Sequence, residues 1–152
     1  MSVDGTDCRI PQRGRDFHSH KFKKSAFRYE VACSILGPYI CCISGPYPAG
    51  LWSDIEIFRD CLLTYLEDFK QVETDDGYLG EAPLYKSCPA MIGFEEERKK
   101  MTRRVNSQQE TINKRFKQWE ILNVPFRHDL LDHRNVIVAI ACITQVAMLN
   151  GE

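Results

Sequence analysis

Hydrophobic and polar side chains alternate along three segments in the first third of the chain. In residues 26–36, Phe27 begins a row of apolar side chains on one face, while mostly polar side chains occupy the other, as in a strand with one covered face. Residues 2–10 also suit a strand, and residues 39–43 form a continuous apolar run that is typical of burial on both faces. A Gly37-Pro38 turn signal separates residues 26–36 from residues 39–43. The pattern predicts an antiparallel meander of three strands.

The remainder of the chain carries the period of amphipathic helices. A capping box, Ser53 with Glu56, predicts the start of a helix over residues 54–66. A short strand is predicted near Val72, and residues 79–94 read as an irregular loop because Gly and Pro interrupt them. The longest helical candidate is residues 95–122, and residues 130–149 predict a closing helix that is mostly buried. The apolar stripe of the long helix is Met101, Val105, Ile112, Phe116 and Trp119.

Three strands, a helix, a strand and two further helices predict an α/β protein with a mixed sheet flanked by helices. The same order of elements is used by the ribonuclease H-like fold, and we expect that fold here. A chain of 152 residues is long enough for one domain with its own core. We therefore expect residues 1–152 to form a single domain.

An acidic residue stands in the middle of the first predicted strand. Burying the Asp4 carboxylate there costs several kcal/mol or shifts its pKa unless a cation is nearby, so its position suggests a site. Gly5 beside it lets another group approach the backbone closely. Asp75 follows the short strand near Val72, at the kind of strand end where open α/β sheets bind ligands.

The long helix carries a polar stripe nearly opposite its apolar one: Asn106, Glu110, Asn113 and Lys117. Taken alone, this stripe is also what a solvated helix face looks like. On the ribonuclease H-like order, however, Glu110 lies on a late helix from which it can reach both Asp4 and Asp75. We interpret these three carboxylates as one metal-binding set, with Asp7 and Asp76 as alternates that are otherwise an exposed strand residue and a turn residue.

Composition narrows the class of protein. The net charge of −1 gives no global basic signature for nucleic acid, so local patches must carry any such binding. The seven cysteines form no CxxC pair, which argues against a structural zinc site and favours a reducing compartment. We see no signal peptide and no run of 18 apolar residues, and therefore expect no membrane span.

Several motifs, taken in order, resemble the catalytic domain of DDE-type transposases of the Harbinger-like class, also called DDE superfamily endonucleases. Each piece is weak alone, but the ordered set covers nearly the whole chain. The pieces are Val3-Asp4-Gly5-Thr6, Ser19-His20-Lys21-Phe22, Arg28-Tyr29-Glu30-Val31, Gly45-Pro46-Tyr47-Pro48-Ala49-Gly50 with Asp54, Asp75-Asp76-Gly77-Tyr78, Glu110-Thr111-Ile112-Asn113-Lys114-Arg115-Phe116-Lys117-Gln118-Trp119, Phe126-Arg127-His128 and Ile143-Thr144-Gln145.

The resemblance implies a metal-dependent nuclease. The family's Asp-Asp-Glu triad falls on Asp4, Asp75 and Glu110, which would hold two Mg²⁺ (or Mn²⁺) ions for phosphodiester cleavage or transfer. Its Lys falls on Lys117, which we expect to contact DNA phosphate. It further implies DNA as the partner, a separate DNA-binding protein as a candidate second partner, and the nucleus as the location. Arg103 and Lys114 join Lys117 as candidate phosphate contacts because they are basic residues of the same helix.

Two departures keep a second hypothesis open. The family usually has an Arg four residues before its Glu, and here that position is Asn106. The chain also begins three residues before Asp4, so we expect it to lack the family's N-terminal DNA-binding module. These features favour a catalytically inactive, transposase-derived DNA-binding or adaptor remnant. A zinc-linked interaction domain is a third hypothesis, which the Cys and His content suggests and the Cys spacing argues against.

Overall fold

The computed structural model describes residues 1–67, 71–74, 78, 80 and 95–151. Its sheet contains the strands β1 (Ser2–Arg9), β2 (His18–Ser19), β3 (Lys24–Cys33) and β4 (Ile40–Pro48). The central strand β3 pairs antiparallel with β1 on one side and with β4 on the other, while β2 pairs with its first residues. The predicted antiparallel meander is confirmed.

A fifth segment joins the sheet beside β1, but in the parallel direction. Ser2 and Glu73 form a parallel bridge, in which the Val3 amide donates to the Glu73 carbonyl at 3.0 Å. The Glu73 amide donates in turn to the Met1 carbonyl, also at 3.0 Å. The segment predicted as a short strand near Val72 therefore lies alongside β1 through an isolated parallel bridge, while the four strands of the sheet pair antiparallel.

The helices are α1 (Asp54–Asp60), α2 (Glu95–Gln118), α3 (Glu120–Asn123) and α4 (His133–Leu149), and short 3-10 turns cover Arg15–Phe17, Leu62–Tyr65 and Leu130–Asp132. The predicted capping box is present, because the Ser53 amide and hydroxyl both donate to Glu56 Oε2, at 2.7 and 2.6 Å. The helix that it starts ends at Asp60, earlier than predicted, and continues as a 3-10 turn.

Helices cover both faces of the sheet and create two cores. Cys8, Tyr29 and Val31 face a core that α2 and α4 complete, whereas Val3 and Ala32 face a second core beneath α1. Because successive strand residues point to opposite faces, these cores lie on opposite sides of β3. The first core includes Ile112, Phe116, Ile137 and Ile140, and the second includes Phe58, Leu62, Val72 and Tyr78.

Several burial predictions are wrong. Residues 40–43 open β4, which pairs only with β3 among the described strands, and Tyr39 just before the strand is 51% exposed rather than enclosed. The strand also extends through Pro48, into a stretch rich in Gly and Pro. Conversely, β3 is covered on both faces, and Glu30 on its predicted polar side is only 2% exposed. Trp119 leaves the apolar stripe because α2 ends at Gln118, and it is 41% exposed.

The closing helix is less buried than its composition suggests. Its apolar residues Val138, Ile143, Val146 and Leu149 are exposed, although Ile137 and Ile140 are in the core. By length and hydropathy the segment Leu130–Leu149 qualifies as a membrane span, with 28% of the window buried inside the fold. A core helix passes the same test, so the absence of a membrane span stays a prediction.

Candidate active site

The first candidate acid, Asp4, projects from β1 towards α2. It pairs across the sheet with Val31, on the strand face that also carries Cys8, and its side chain is half-buried. The Asn113 side-chain amide donates to Asp4 Oδ2 at 2.7 Å. The carboxylate is therefore held at the seam between the strand and the long helix.

Polar side chains four residues apart fasten α2 along β1. Gln109, 5% exposed, donates to Ser2 Oγ at 3.0 Å, and Asn113 makes its bond to Asp4 one turn later. One further turn on, Lys117 Nζ donates to the backbone carbonyl of Asp7 near the end of the strand. Residues at this spacing share one helix face. The polar stripe is thus partly a contact surface with β1, not simply a solvated face.

Asp4 and Glu110 line the same cleft, which has a volume of about 200 Å³. Glu110 is exposed on α2, one turn before Asn113, so it reaches the cleft from the solvent side. Glu73 and Thr74 form the opposite wall, on the segment that pairs with β1. The other lining residues are Val3, Val105, Asn106 and Gln109. The cleft therefore unites two of the three predicted acids.

Asp75 lies outside the described residues, although Thr74 immediately before it in the sequence lines the cleft. Within the described part of the chain, no group of three or more His, Cys, Asp or Glu side chains is arranged to hold a metal ion. The donors that are present fit a hard cation, since Asp4, Glu73 and Glu110 supply carboxylate oxygens. The buried hydroxyl of Thr74 has no hydrogen-bond partner among the described residues, which leaves a further oxygen available.

The predicted phosphate contacts divide into two kinds. Arg103 and Lys114 are exposed and lie on the same flank of α2 as Glu110, because seven and four residues correspond to nearly whole helical turns. Lys117 is half-buried: besides its bond to β1, its Nζ lies 3.5 Å from Cys8 Sγ and 5.7 Å from the centroid of the Phe22 ring. With Lys21 and Lys114 it lines a pocket of about 250 Å³.

An ion-pair network lies on the other face of the sheet. Asp7, predicted to be an exposed strand residue, is only 3% exposed and accepts from Arg28 Nε at 2.8 Å and from Ser19 Oγ at 2.5 Å. Arg28 also lies 3.6 Å from Asp54, the first residue of α1. Burial would lower the pKa of Arg28, but the hydrogen bond to Asp7 and the charge of Asp54 raise it above its ordinary value. The network anchors α1 to the sheet.

Gly5 is needed where this network meets β1. A Cβ at this position would collide with the carboxylate of Asp54. The expectation that Gly5 permits close approach to the strand is therefore confirmed, and the approaching group is Asp54. On the same face, burial and the negative charge of Asp54 raise the pKa of Glu30, while the hydrogen bond that Tyr78 Oη donates to its Oε1 at 3.2 Å lowers it. The net pKa is about 8.

Two residues at the cleft escaped sequence reasoning. Glu73 stands two positions before Asp75, and only its pairing with Ser2 shows that it shares a wall with Asp4. Asn113 was recognised as part of a polar stripe, but its bond to Asp4 joins residues 109 positions apart. The available signal was its spacing of three residues from Glu110, which keeps both on one flank.

Comparison with known proteins identifies the family. Residues 3–144 match the profile of a protein family described as DDE superfamily endonuclease, so the match covers nearly the entire chain. No curated protein and no solved structure matches the chain significantly. The resemblance inferred from the ordered motifs is thereby confirmed, and the chain belongs to the DDE superfamily endonuclease family.

Proposed function

We propose that this protein is a divalent-metal-dependent DNA endonuclease or transposase core that uses Asp4, Asp75 and Glu110 as its catalytic acids. The observation that carries the proposal is the cleft shared by Asp4 and Glu110, with Thr74, the neighbour of Asp75, in its wall. Asp4 and Glu110 are 106 residues apart in the sequence and still line one cleft. The chain that brings them together belongs to an endonuclease family.

The sheet supports a ribonuclease H-like arrangement for this core. Its antiparallel strands run in the spatial order β4, β3, β1, and the segment at Glu73 continues the order beyond β1 in parallel. Three antiparallel strands followed by a parallel neighbour of the first strand are what the predicted order of elements requires. In this arrangement Asp4 occupies the strand next to the parallel segment, and Asp75 follows that segment.

The chain's own residues have distinct roles in the proposed reaction. Two Mg²⁺ (or Mn²⁺) ions, when bound, would activate the attacking hydroxyl and stabilise the leaving oxygen. Asp4, half-buried at the seam, would hold these ions together with Asp75 and Glu110. Arg103 and Lys114 would bind DNA phosphates beside Glu110, and Lys117 would do so with an N–H group that is not engaged with β1. Such contacts orient DNA without reading its sequence.

The proposal also covers how a DNA target is chosen and where in the cell the protein acts. With a net charge of −1 the chain binds DNA modestly and in a salt-sensitive way. We therefore propose that a separate DNA-binding protein supplies target choice, and that the protein acts in the nucleus.

One observation favours a second candidate function, a catalytically inactive DNA-binding or adaptor remnant. Asn106 lines the cleft at the position where the family resemblance expects Arg. Replacing a guanidinium by an amide removes a positive charge from beside the acids and weakens the hold on a phosphate. An inactive remnant would retain DNA binding without cutting.

Cleavage of a supercoiled plasmid in Mg²⁺ or Mn²⁺ separates the two candidates. The proposal expects metal-dependent nicking by the native chain, and its loss in Asp75→Asn and in Glu110→Gln. Matched controls are Asp16→Asn and Glu120→Gln, which remove exposed carboxylates away from the cleft and should cut like the native chain. Folding is checked by circular dichroism for every variant.

Three results would count against the proposal. Cutting that survives both acid substitutions would reject the triad. DNA binding without any metal-dependent cutting would favour the adaptor remnant. A melting temperature that does not respond to millimolar Mg²⁺ or Mn²⁺ would argue against a metal site, because ions that bind only the folded chain must stabilise it.

A further inference from the structure

Asn113 connects the two elements that carry the cleft acids. Its Nδ2 donates to Asp4 Oδ2 at 2.7 Å, and it follows Glu110 by three residues, one turn along α2. It also lines the neighbouring pocket that contains Lys114 and Lys117. The side chain thus lies between the acid cleft and a group of lysines.

The orientation of the amide is determined by its partner. An ionised carboxylate only accepts hydrogen bonds, so Asn113 must direct its NH₂ group at Asp4. Its Oδ1 is then left buried with no hydrogen-bond partner among the described residues. An unpaired buried oxygen costs free energy, which offsets part of what the bond to Asp4 contributes to stability. The amide is therefore better explained by its action on Asp4 than by stability.

The position of α2 does not depend on this bond alone. One turn earlier, Gln109 donates both to Ser2 Oγ, at 3.0 Å, and to the Val31 carbonyl, at 3.3 Å. One turn later, Lys117 bonds to the backbone of β1. Removing the Asn113 amide should therefore leave the helix in register and remove only this contact with Asp4.

We propose that Asn113 is a positioning residue that holds the Asp4 carboxylate in the orientation in which it binds divalent cations. The inference rests on the proposed function. Asn113 acts through Asp4 and is assigned no contact with the metal or with DNA. Partners that orient a metal ligand typically change metal affinity by about 10- to 100-fold when they are removed.

Binding of Mn²⁺, followed by electron paramagnetic resonance of the free ion well below the melting temperature, tests this role without requiring cleavage. Asn113→Leu keeps a similar volume but cannot donate, and Asn113→Ala tests the same loss with a smaller side chain. Both should bind Mn²⁺ about tenfold or more weakly than the native chain. Asn135→Ala, at an exposed asparagine of α4, is the control and should bind normally.

Melting curves without metal distinguish positioning from folding. A positioning role predicts that Mn²⁺ affinity falls in Asn113→Leu although the variant is fully folded at the temperature of the binding measurement. The lost bond to Asp4 and the removed Oδ1 act on the melting temperature in opposite directions. Native Mn²⁺ affinity in Asn113→Leu or Asn113→Ala would overturn the inference and leave the proposed function standing. A native chain that binds no Mn²⁺ at millimolar concentrations would overturn both.

Discussion

Replacing Glu30 by Gln should change how the stability of the protein depends on pH. Glu30 is 2% exposed in the centre of β3, and burial raises the pKa of its carboxyl group to about 8, with the negative charge of Asp54 acting in the same direction and the hydrogen bond from Tyr78 opposing them. The folded protein therefore keeps Glu30 protonated at pH values where the unfolded chain, with an ordinary pKa of 4.5, has lost the proton.

The sign and size follow from that difference. Stability is complete below the unfolded pKa and is lost as the pH rises towards the folded one. At pH 7.5 the loss reaches about 4 kcal/mol, and roughly 2–3 kcal/mol of it accrues between pH 5.5 and 7.5. Glutamine cannot ionise, so Glu30→Gln should lack this part of the pH dependence. Its buried NH₂ group adds a cost of about 1–3 kcal/mol that does not vary with pH.

Urea unfolding of both proteins at pH 5.5, 6.5 and 7.5, followed by tryptophan fluorescence, measures the effect. The difference in unfolding free energy between variant and native chain should shift by roughly 2–3 kcal/mol in favour of Glu30→Gln across that interval. Because other titrating groups are common to both proteins, they cancel in the difference. Parallel stability curves would show that Glu30 is ionised in the folded state and would refute the reasoning.

Three further perturbations test the packing around the sheet. Burial lowers the pKa of His133 to about 4, so stability should fall by up to about 3 kcal/mol as the pH drops from 6.5 to 4, and His133→Gln should remove that fall in urea titrations. Arg28→Met removes the ion-pair partner of the buried Asp7 carboxylate and should cost about 3–5 kcal/mol in the same assay. Much of this loss should be recovered by adding Asp7→Asn. An Arg28→Met variant as stable as the native chain would contradict this expectation. Gly5→Ala should lower the melting temperature through its collision with Asp54, at a cost of about 1–3 kcal/mol. If adding Gly5→Ala to an Asp54→Ala variant costs as much as adding it to the native chain, that cause is disproved.

Local patterns were sufficient wherever neighbours in sequence decide the structure. The alternation in residues 26–36 predicted β3, and the Ser53–Glu56 pair predicted the first turn of α1, because strand pleat and helix capping involve residues a few positions apart. The family resemblance likewise depended on short motifs in a fixed order along the chain, and that order can be read from the sequence without knowing the fold. The expectation that Gly5 permits a close approach was correct for the same reason: a missing Cβ leaves space whatever fills it.

Burial of the polar residues was decided only by tertiary packing. Asp7 and Glu30 look like solvent-facing strand positions until α1 covers that face of the sheet, and Asp7 then requires Arg28 as its partner. The apolar residues of β4 look like core but lie at the sheet edge. A pattern of hydrophobicity states which side of an element is apolar, not how many layers will cover it.

The candidate site shows the same division. Asp4 and Glu110 were chosen from their positions in the sequence, and the structure brings both to one cleft. The Asn113 bond and the Glu73 wall depend on the axial register of α2 and of the returning segment against β1, which contacts such as Gln109 with Ser2 determine. Periodicity gives the face of a helix but not its register against a strand more than 100 residues away, because that register is a property of the packed interface.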